Sequence, residues 1–318
     1  MDVLSDLCRS LRLSGEVYFR ANFGGAWGVE VPPSGQEVRF HLCLEGGCRV
    51  AVGRQHACDL TRGDLVLVPH GAAQILFGHT TGTASDAGSA RAPLPLQRAL
   101  DVGFSDGELH LLGGTTEPDT RLLCGFCRFD DLDRHPLLTG LPPLIHLRQE
   151  DLASTPWISD ALHSLTLEAR QLRPGLEAVA SRLVEVLFIQ AIRDLATRPE
   201  LAGDSFMGAL ADPRLSRSLA AIHDAPAEPW TVSTLAREAG LSRSRFAQVF
   251  AATTGMTPMG YLRQWRLLCA RRLLHETRLS IESIARRVGY HSVPSFTRRF
   301  GAAFGTTPAA MRRAAAGS

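Results

Sequence analysis

His41 and Cys43 stand two residues apart within residues 38–44, a stretch that alternates as a half-buried strand does. Side chains two apart on a strand share a face. His70 follows the strand expected over 63–69. Cys124 falls in a later strand, over 121–126, with Cys127 just beyond it. Inward positions from distant strands converge in a closed barrel. A set of His41, Cys43, His70 and Cys124 would complete a tetrahedral site for zinc or another transition metal. Without metal, the same thiols beside imidazoles would be prone to oxidation, and Cys124 and Cys127 have the spacing of a redox pair. Residues three apart on a regular strand face opposite ways, so that pair requires a bulge. The plainer alternative is buried cysteine used as small apolar filler. An organic effector inside the barrel also remains open. His56, His79, His110, His135 and His146 show no ligand spacing and read as solvated or capping residues.

The elements that must position these groups divide the chain in two. Short strands are expected at 38–44, 48–52, 63–69, 109–112 and 121–126, in an antiparallel barrel or sandwich. Residues 79–97, rich in Gly, Ala, Ser, Thr and Pro, read as a flexible insertion. After Pro143 the pattern turns helical. One helix is expected over 155–171, capped by Ser154 or Thr155 with Pro156 in its first turn. A longer one runs over 174–197, with Leu176, Val179, Leu183, Val186, Leu187 and Leu195 on one stripe. The Gly- and Pro-containing link from Pro199 to Asp212 is the expected domain boundary.

Composition narrows the class. Of 318 residues, 45% are hydrophobic and 21% charged, which suits a globular chain and not a disordered one. No run is long and apolar enough for a membrane span, and the acidic N-terminus is unlike a secretory signal. Seven cysteines in a long chain fit a reduced, cytoplasmic setting. The net charge of +2 hides an asymmetry: residues 212–318 carry 16 Arg against 6 acids, leaving an excess of acids in the rest. A basic C-terminal third on an acidic remainder points to a polyanion at one end only.

That basic third repeats itself. Leu235-Ala236 leads to Gly240, then Phe246, Phe250, Gly255 and Thr257-Pro258. Ile284-Ala285 leads to Gly289, then Phe296, Phe300, Gly305 and Thr307-Pro308. Each copy reads as a short helix, a turn holding one Gly, and a second helix whose two Phe face the core. This is a helix-turn-helix pattern, whose second helix can enter the major groove. Its duplication argues against a plain helical bundle.

The block from Trp230 to Arg313 resembles the DNA-binding domain of the AraC family of bacterial transcription regulators. Ile284-Ala285-Arg286-Arg287-Val288-Gly289-Tyr290, Ser295-Phe296-Thr297-Arg298-Arg299-Phe300 and Gly305-Thr306-Thr307-Pro308 carry the match. The resemblance implies two helix-turn-helix units joined by a long helix, here about 258–275, reading adjacent major grooves. By position it implies base contacts at Ser244, Ala247 and Gln248 in the first recognition helix. In the second it implies Val293, Pro294, Thr297 and Arg298. Arg243 and Arg245 flank the first set and can hold phosphates or a guanine edge. Val293 and Pro294 offer only apolar contacts, so direct readout rests on Gln248, Arg298 and Arg245.

The N-terminal half resembles, over fewer residues, the cupin sensor domain that many AraC-type regulators carry. Phe40-His41, Glu45-Gly46 and Gly63 to Gly71 carry that match. Cupin enzymes hold a metal with a His-x-His…Glu set and a later His; here Cys43 and Gln74 stand at two of those His positions. The expectation is an α+β protein of two domains, a cupin-like antiparallel β-barrel with a helical extension and an all-α double helix-turn-helix. The barrel spans 1–150, a helical dimerisation region 151–200, a linker 201–211 and the DNA-binding domain 212–318. The expected function is a sequence-specific transcription regulator, an activator and not an enzyme. Its expected partners are double-stranded promoter DNA, RNA polymerase, a second copy of itself and an effector of unknown kind. The alternative is a metal-dependent cupin enzyme fused to a DNA-binding tail.

Overall fold

A computed structural model describes residues 3–11, 13–35, 37–78, 92–115, 117–129, 135–150, 156–171, 174–197 and 206–316. They form two compact units. One lies within 12–194; the other joins the residues up to 11 to those from 195 onward.

The first unit is built on two sheets. Seven strands lie in the order β12 (Ile145–Leu147), β6 (Leu65–Val68), β3 (Glu37–Glu45), β11 (Thr120–Phe129), β1 (Leu13–Gly25), β10 (Glu108–Gly113) and β9 (Phe104–Ser105). Five more lie in the order β5 (His56–Thr61), β4 (Gly47–Val52), β7 (Gln74–Gly78), β2 (Gly28–Val31) and β8 (Leu94–Pro95). The inward faces share one core that includes Phe23, Val29, Cys43, Val50, Val66, Leu76, Leu109, Leu122 and Cys124. The pairing is antiparallel except at β1–β10 and β2–β8, which run parallel and depart from the expected all-antiparallel pattern.

The part of the expected insertion that is described, 92–97, is ordered: it supplies β8 and opens α2 (Leu96–Gly103). The rest of it, 79–91, lies outside the described residues. So does the expected cap at Ser154 or Thr155.

The expected helices appear as α4 (Pro156–Gln171) and α5 (Leu176–Thr197), after the short α3 (Pro136–Thr139) that His135 caps. The stripe on α5 is displaced from the expected one. Ala180, Val184, Leu187, Phe188, Ala191, Ile192 and Leu195 are buried, whereas Val179 and Val186 are exposed. The buried side packs on the outside of the β-rich unit. Phe188 meets Phe129, and Gly15 donates to Glu185. A Cβ at Gly15 would sit 2.6 Å from the Ser181 carbonyl.

The second unit is helical: α6 (Phe206–Ala211), α7 (Pro213–Asp224), α8 (Val232–Glu238), α9 (Arg243–Thr254), α10 (Pro258–Glu276), α11 (Ile281–Arg287), α12 (Val293–Phe304) and α13 (Pro308–Ala316). Helix α6 occupies most of the expected linker; 201–205 lies outside the described residues. An unforeseen helix, α1 (Val3–Ser10), also belongs here. Its Leu7 is fully buried, and Arg271 on α10 donates to the Ser10 carbonyl.

At the centre of this unit His223 stacks on Trp265, 3.8 Å between centroids, and its Nε2 lies 2.7 Å from the Tyr261 hydroxyl. Asp6 on α1 lies 3.6 Å from the other ring nitrogen. Burial pushes the His223 pKa down to about 3, against a smaller upward pull from Asp224. The unfolded chain, near 6.5, therefore takes up a proton first on acidification. Burial raises the pKa of Asp6, whose titration works in the opposite sense nearer its ordinary value of 3.8. Stability of this unit is expected to fall as pH drops from 6.5 toward about 5, and His223→Gln should flatten the slope. Denaturant titrations across that range test it; an unchanged slope in the variant would assign the dependence elsewhere.

Candidate nucleic-acid interface and sensor cavity

The two helix-turn-helix units form as their repeat requires. Gly240 and Gly289 adopt φ of +67° and +81° at the turns, a region that favours glycine. Leu235, Ala236, Ile284 and Ala285 are buried on the first helices, and Phe246, Phe250, Phe296 and Phe300 on the second. Equivalent caps frame both second helices. Ser242 accepts from the Arg245 amide and Ser292 from the Ser295 amide, while Gly255 and Gly305 end their helices left-handed.

With the Phe pair facing inward, the opposite side of each second helix points outward. Arg243, Ser244, Arg245 and Gln248 are exposed on α9, with Ala247 half-buried. On α12 Pro294 and Arg298 are exposed, with Val293 and Thr297 half-buried; Arg299 is exposed beside them. Arg245 donates to the Gln248 side-chain oxygen at 3.4 Å, so those two are linked along α9. Among the described residues, none of Arg243, Arg245, Arg298 and Arg299 forms an ion pair with a carboxylate, and their charge is available to an external anion.

Arg266, which sequence reading missed, ties the two halves together. From α10 it donates to the carbonyls of Pro226 (2.6 Å), Glu228 (2.7 Å) and Gly289 (3.4 Å). It thereby fixes the loop before the first unit to the turn of the second. Nothing in the spacing around it distinguishes this arginine from its neighbours on the same helix.

In the β-rich unit, a cavity of about 390 Å³ lies between the sheets and α2. Tyr18, Phe19 and Phe23 of β1, Val29 and Val31 of β2, Leu76 of β7, Leu109 of β10 and Leu96 and Leu100 of α2 give it an apolar wall. Arg39, His41 and Cys124 supply polar groups. The volume lies in the range of about 300–1,000 Å³ usual for small-molecule sites.

The four residues considered as metal ligands do not converge. His41 and Cys124 are register partners, and Nδ1 lies 3.2 Å from Sγ. Cys43 shares their inward face, but its thiol lies near the Glu45 and Gly46 carbonyls. His70 is exposed, and its ring nitrogen lies 2.8 Å from the Leu141 carbonyl. Among the described residues no group of three or more His, Cys, Asp or Glu is placed to hold a metal.

Cys124 and Cys127 lie on opposite faces of β11: Cys124 lines the cavity, and Cys127 faces away, within the field of Glu185 on α5. Burial pushes the thiols of Cys43 and Cys124 up to about 12 and raises that of Cys127, the reverse of activation. Burial likewise pushes the His41 pKa down to about 4, despite Gln74 beside it, so the ring is neutral. The Gln74 amide is buried beside the His41 ring and hydrogen-bonds to it. Gln74 shares the inward face of β7 with Leu76. The position at which a cupin enzyme would place a ligand histidine thus holds a neutral amide beside a neutral ring.

A duplicated helix-turn-helix unit with outward arginines, in one chain with a β-rich cupin unit, defines a DNA-binding transcription regulator. Comparison with known proteins supports the assignment over the full chain. Residues 2–197 match a Cupin family and residues 235–314 a Helix-turn-helix domain family. The chain is 31% identical to the HTH-type transcriptional regulator AlkR of Acinetobacter baylyi, over 98% of this chain and 99% of that protein. It is 31% identical to a putative AraC-like transcription regulator of Streptomyces antibioticus, over the same shares. It is 26% identical to the RCS-specific HTH-type transcriptional activator RclR of Escherichia coli, over 98% and 97%. The chain belongs to the AraC-like family of transcription regulators, with a cupin N-terminal domain.

Proposed function

We propose that this regulator activates transcription in the cytoplasm when a small organic molecule occupies the cavity of its cupin unit. The observation that carries the reading is that cavity: lined by both sheets and α2, mostly apolar, with Arg39, His41, Asp101 and Cys124 among its lining. Metal and thiol sensing are disfavoured, because His70 points elsewhere and the thiols are held protonated. A regulatory rather than enzymatic role accords with the relatives, which are named transcription regulators. On the DNA side, Gln248, Arg298 and Arg245 read base edges. Ser244, Val293, Pro294 and Thr297 supply closer contacts, and Arg243 holds phosphate. The activator sense is that of the Escherichia coli relative, a transcriptional activator by name, and RNA polymerase is the further partner that such a role requires. The exposed Val179 and Val186 on α5 supply an apolar strip for a second copy, so the working form is a homodimer.

The test begins with selection of bound duplexes from a random library by the full chain. An enriched motif of two blocks about one helical turn apart is expected, with affinity that falls steeply as salt rises. Transcription with purified polymerase should then increase only with effector present, and Leu76→Trp, which fills the cavity, should remove that response while keeping the motif. Absence of any enriched motif would overturn the DNA reading. An unchanged response in Leu76→Trp would overturn the sensor reading. Sedimentation should give a dimer at micromolar concentration and a monomer after Val179→Glu with Val186→Glu.

A further inference from the structure

Two arginines hold the turns of the helical unit. Arg217 on α7 donates to the carbonyls of Glu238 and Ala239, at 3.1 and 3.2 Å, and so grips the first turn from within the same half. Arg266 on α10 grips the second turn through the Gly289 carbonyl at 3.4 Å. It also reaches back to the carbonyls of Pro226 at 2.6 Å and Glu228 at 2.7 Å. That loop leads into the first helix-turn-helix and is itself braced. The Trp230 indole donates to the Ala225 carbonyl at 2.9 Å, and the Glu228 amide to the same carbonyl at 3.2 Å.

Gly289 makes room for this clasp. A Cβ there would sit 2.7 Å from the Arg266 guanidinium carbon and 3.0 Å from the Ala227 carbonyl oxygen. The backbone of the second turn therefore lies close against the loop before the first unit. At Gly240 the same addition meets Arg217 Nη2 at 3.4 Å, an ordinary contact. Among the described residues Arg266 bonds to carbonyls and to no carboxylate, so its planar fork spends its donors on the backbone of both halves. In sequence, α9 and α12 are joined through α10. A helix alone leaves the units at its two ends free to swivel; the clasp is a second attachment that removes that freedom.

We infer that Arg266 is a positioning residue that sets the spacing at which α9 and α12 enter successive major grooves, and so the number of base pairs between the two blocks of the operator. One base pair more or less moves the second block by about 3.4 Å along the duplex and about 34° around it. A second unit held at two points cannot follow that shift without breaking the clasp, whereas one held by α10 alone can. Arg266 acts through the Gly289 turn and the 226–228 loop, not through a base. The inference rests on the reading that both recognition helices dock on one duplex.

The experiment is selection by the full chain from duplexes in which the two blocks, told apart by the different outward residues of α9 and α12, are separated by spacers of varied length. The unaltered chain is expected to favour one spacing over its neighbours by about tenfold, the size of one mismatched base pair, and Arg266→Ala to reduce that preference to about twofold or less while each block keeps its sequence. Arg266→Lys, which keeps the charge and loses the planar fork, should fall between the two. Arg217→Ala is the contrast: it removes two carbonyl bonds within one half, and should lower the melting point of the helical unit without broadening the spacing. The melting point is measured for every variant, and Arg266→Lys carries the test if the alanine variant does not fold. If the folded Arg266 variant keeps the single spacing, or Arg217→Ala broadens it equally, the inference is overturned and Arg266 is a structural tie alone. If the unaltered chain selects one block only, or no motif, the reading of two docked helices fails together with the inference.

Discussion

Replacing Phe300 with alanine is expected to cost the helical unit about 3–5 kcal/mol, the usual range for removing a buried aromatic ring. Phe300 is fully buried and packs between Phe296 and Phe304, with ring centroids 5.6 and 4.6 Å away. Ser292 and Gly305 cap the two ends of α12. Specific DNA binding should be lost at physiological temperature. Because Phe300 lies in the helical unit alone, the unfolding transition of the β-rich unit should stay where it is. Denaturant unfolding followed by separate tryptophan probes, Trp27 for one unit and Trp265 for the other, resolves the two. A shift shared equally by both would show that the units do not unfold independently.

The second large effect concerns readout. Arg298→Ala should weaken binding to the selected sequence by about 10- to 100-fold, or about 1–3 kcal/mol, and relax preference at one base pair. The argument is geometric: Arg298 is exposed, on the face of α12 opposite the buried Phe296 and Phe300, and has no carboxylate partner among the described residues. Arg299→Ala serves as the contrast, with loss spread evenly over all sequences and a salt slope smaller by about one. Equal losses on selected and random duplexes in Arg298→Ala would make Arg298 a phosphate contact instead.

The helical unit was legible because its signals are local and doubled. One glycine with positive φ, a Phe pair four apart and a Thr-Pro helix start recur at nearly constant offset, and each has a single physical use. The β-rich unit was legible where strands alternate, as in β3 and β11, and opaque elsewhere. Strand β1 went unread although it is the longest: Gly15, Gly24 and Gly25 weaken its β signal, and a register shift between Val17 and Phe19 breaks its period. Helix α5 was found, but the choice among its apolar residues was decided by Gly15 and Phe129, which lie far away in sequence.

The sensor residues divide in the same way. Sharing of a face by His41 and Cys43 follows from parity alone. That His41 would face Cys124 and Gln74, and that His70 would turn toward Leu141, depends on register and on a loop carbonyl that no local pattern encodes. Gln74 was noticed as the wrong residue for a metal; its use as a hydrogen-bonding group emerges only from its burial.

The placement of α1 has a consequence for how this protein is made. Synthesis runs from α1 through the whole β-rich unit before it reaches α7 and α10, the helices that cover Leu7 and Asp6. A ribosome therefore exposes α1 some two hundred residues ahead of its partners, and the β-rich unit, whose strands are all available by then, can assemble in the interval. The DNA-binding unit is closed only when the last helices arrive and capture a segment made long before. A nascent chain stalled within 195–205 should accordingly hold a folded sensor and an unclaimed amphipathic helix, a natural target for chaperones.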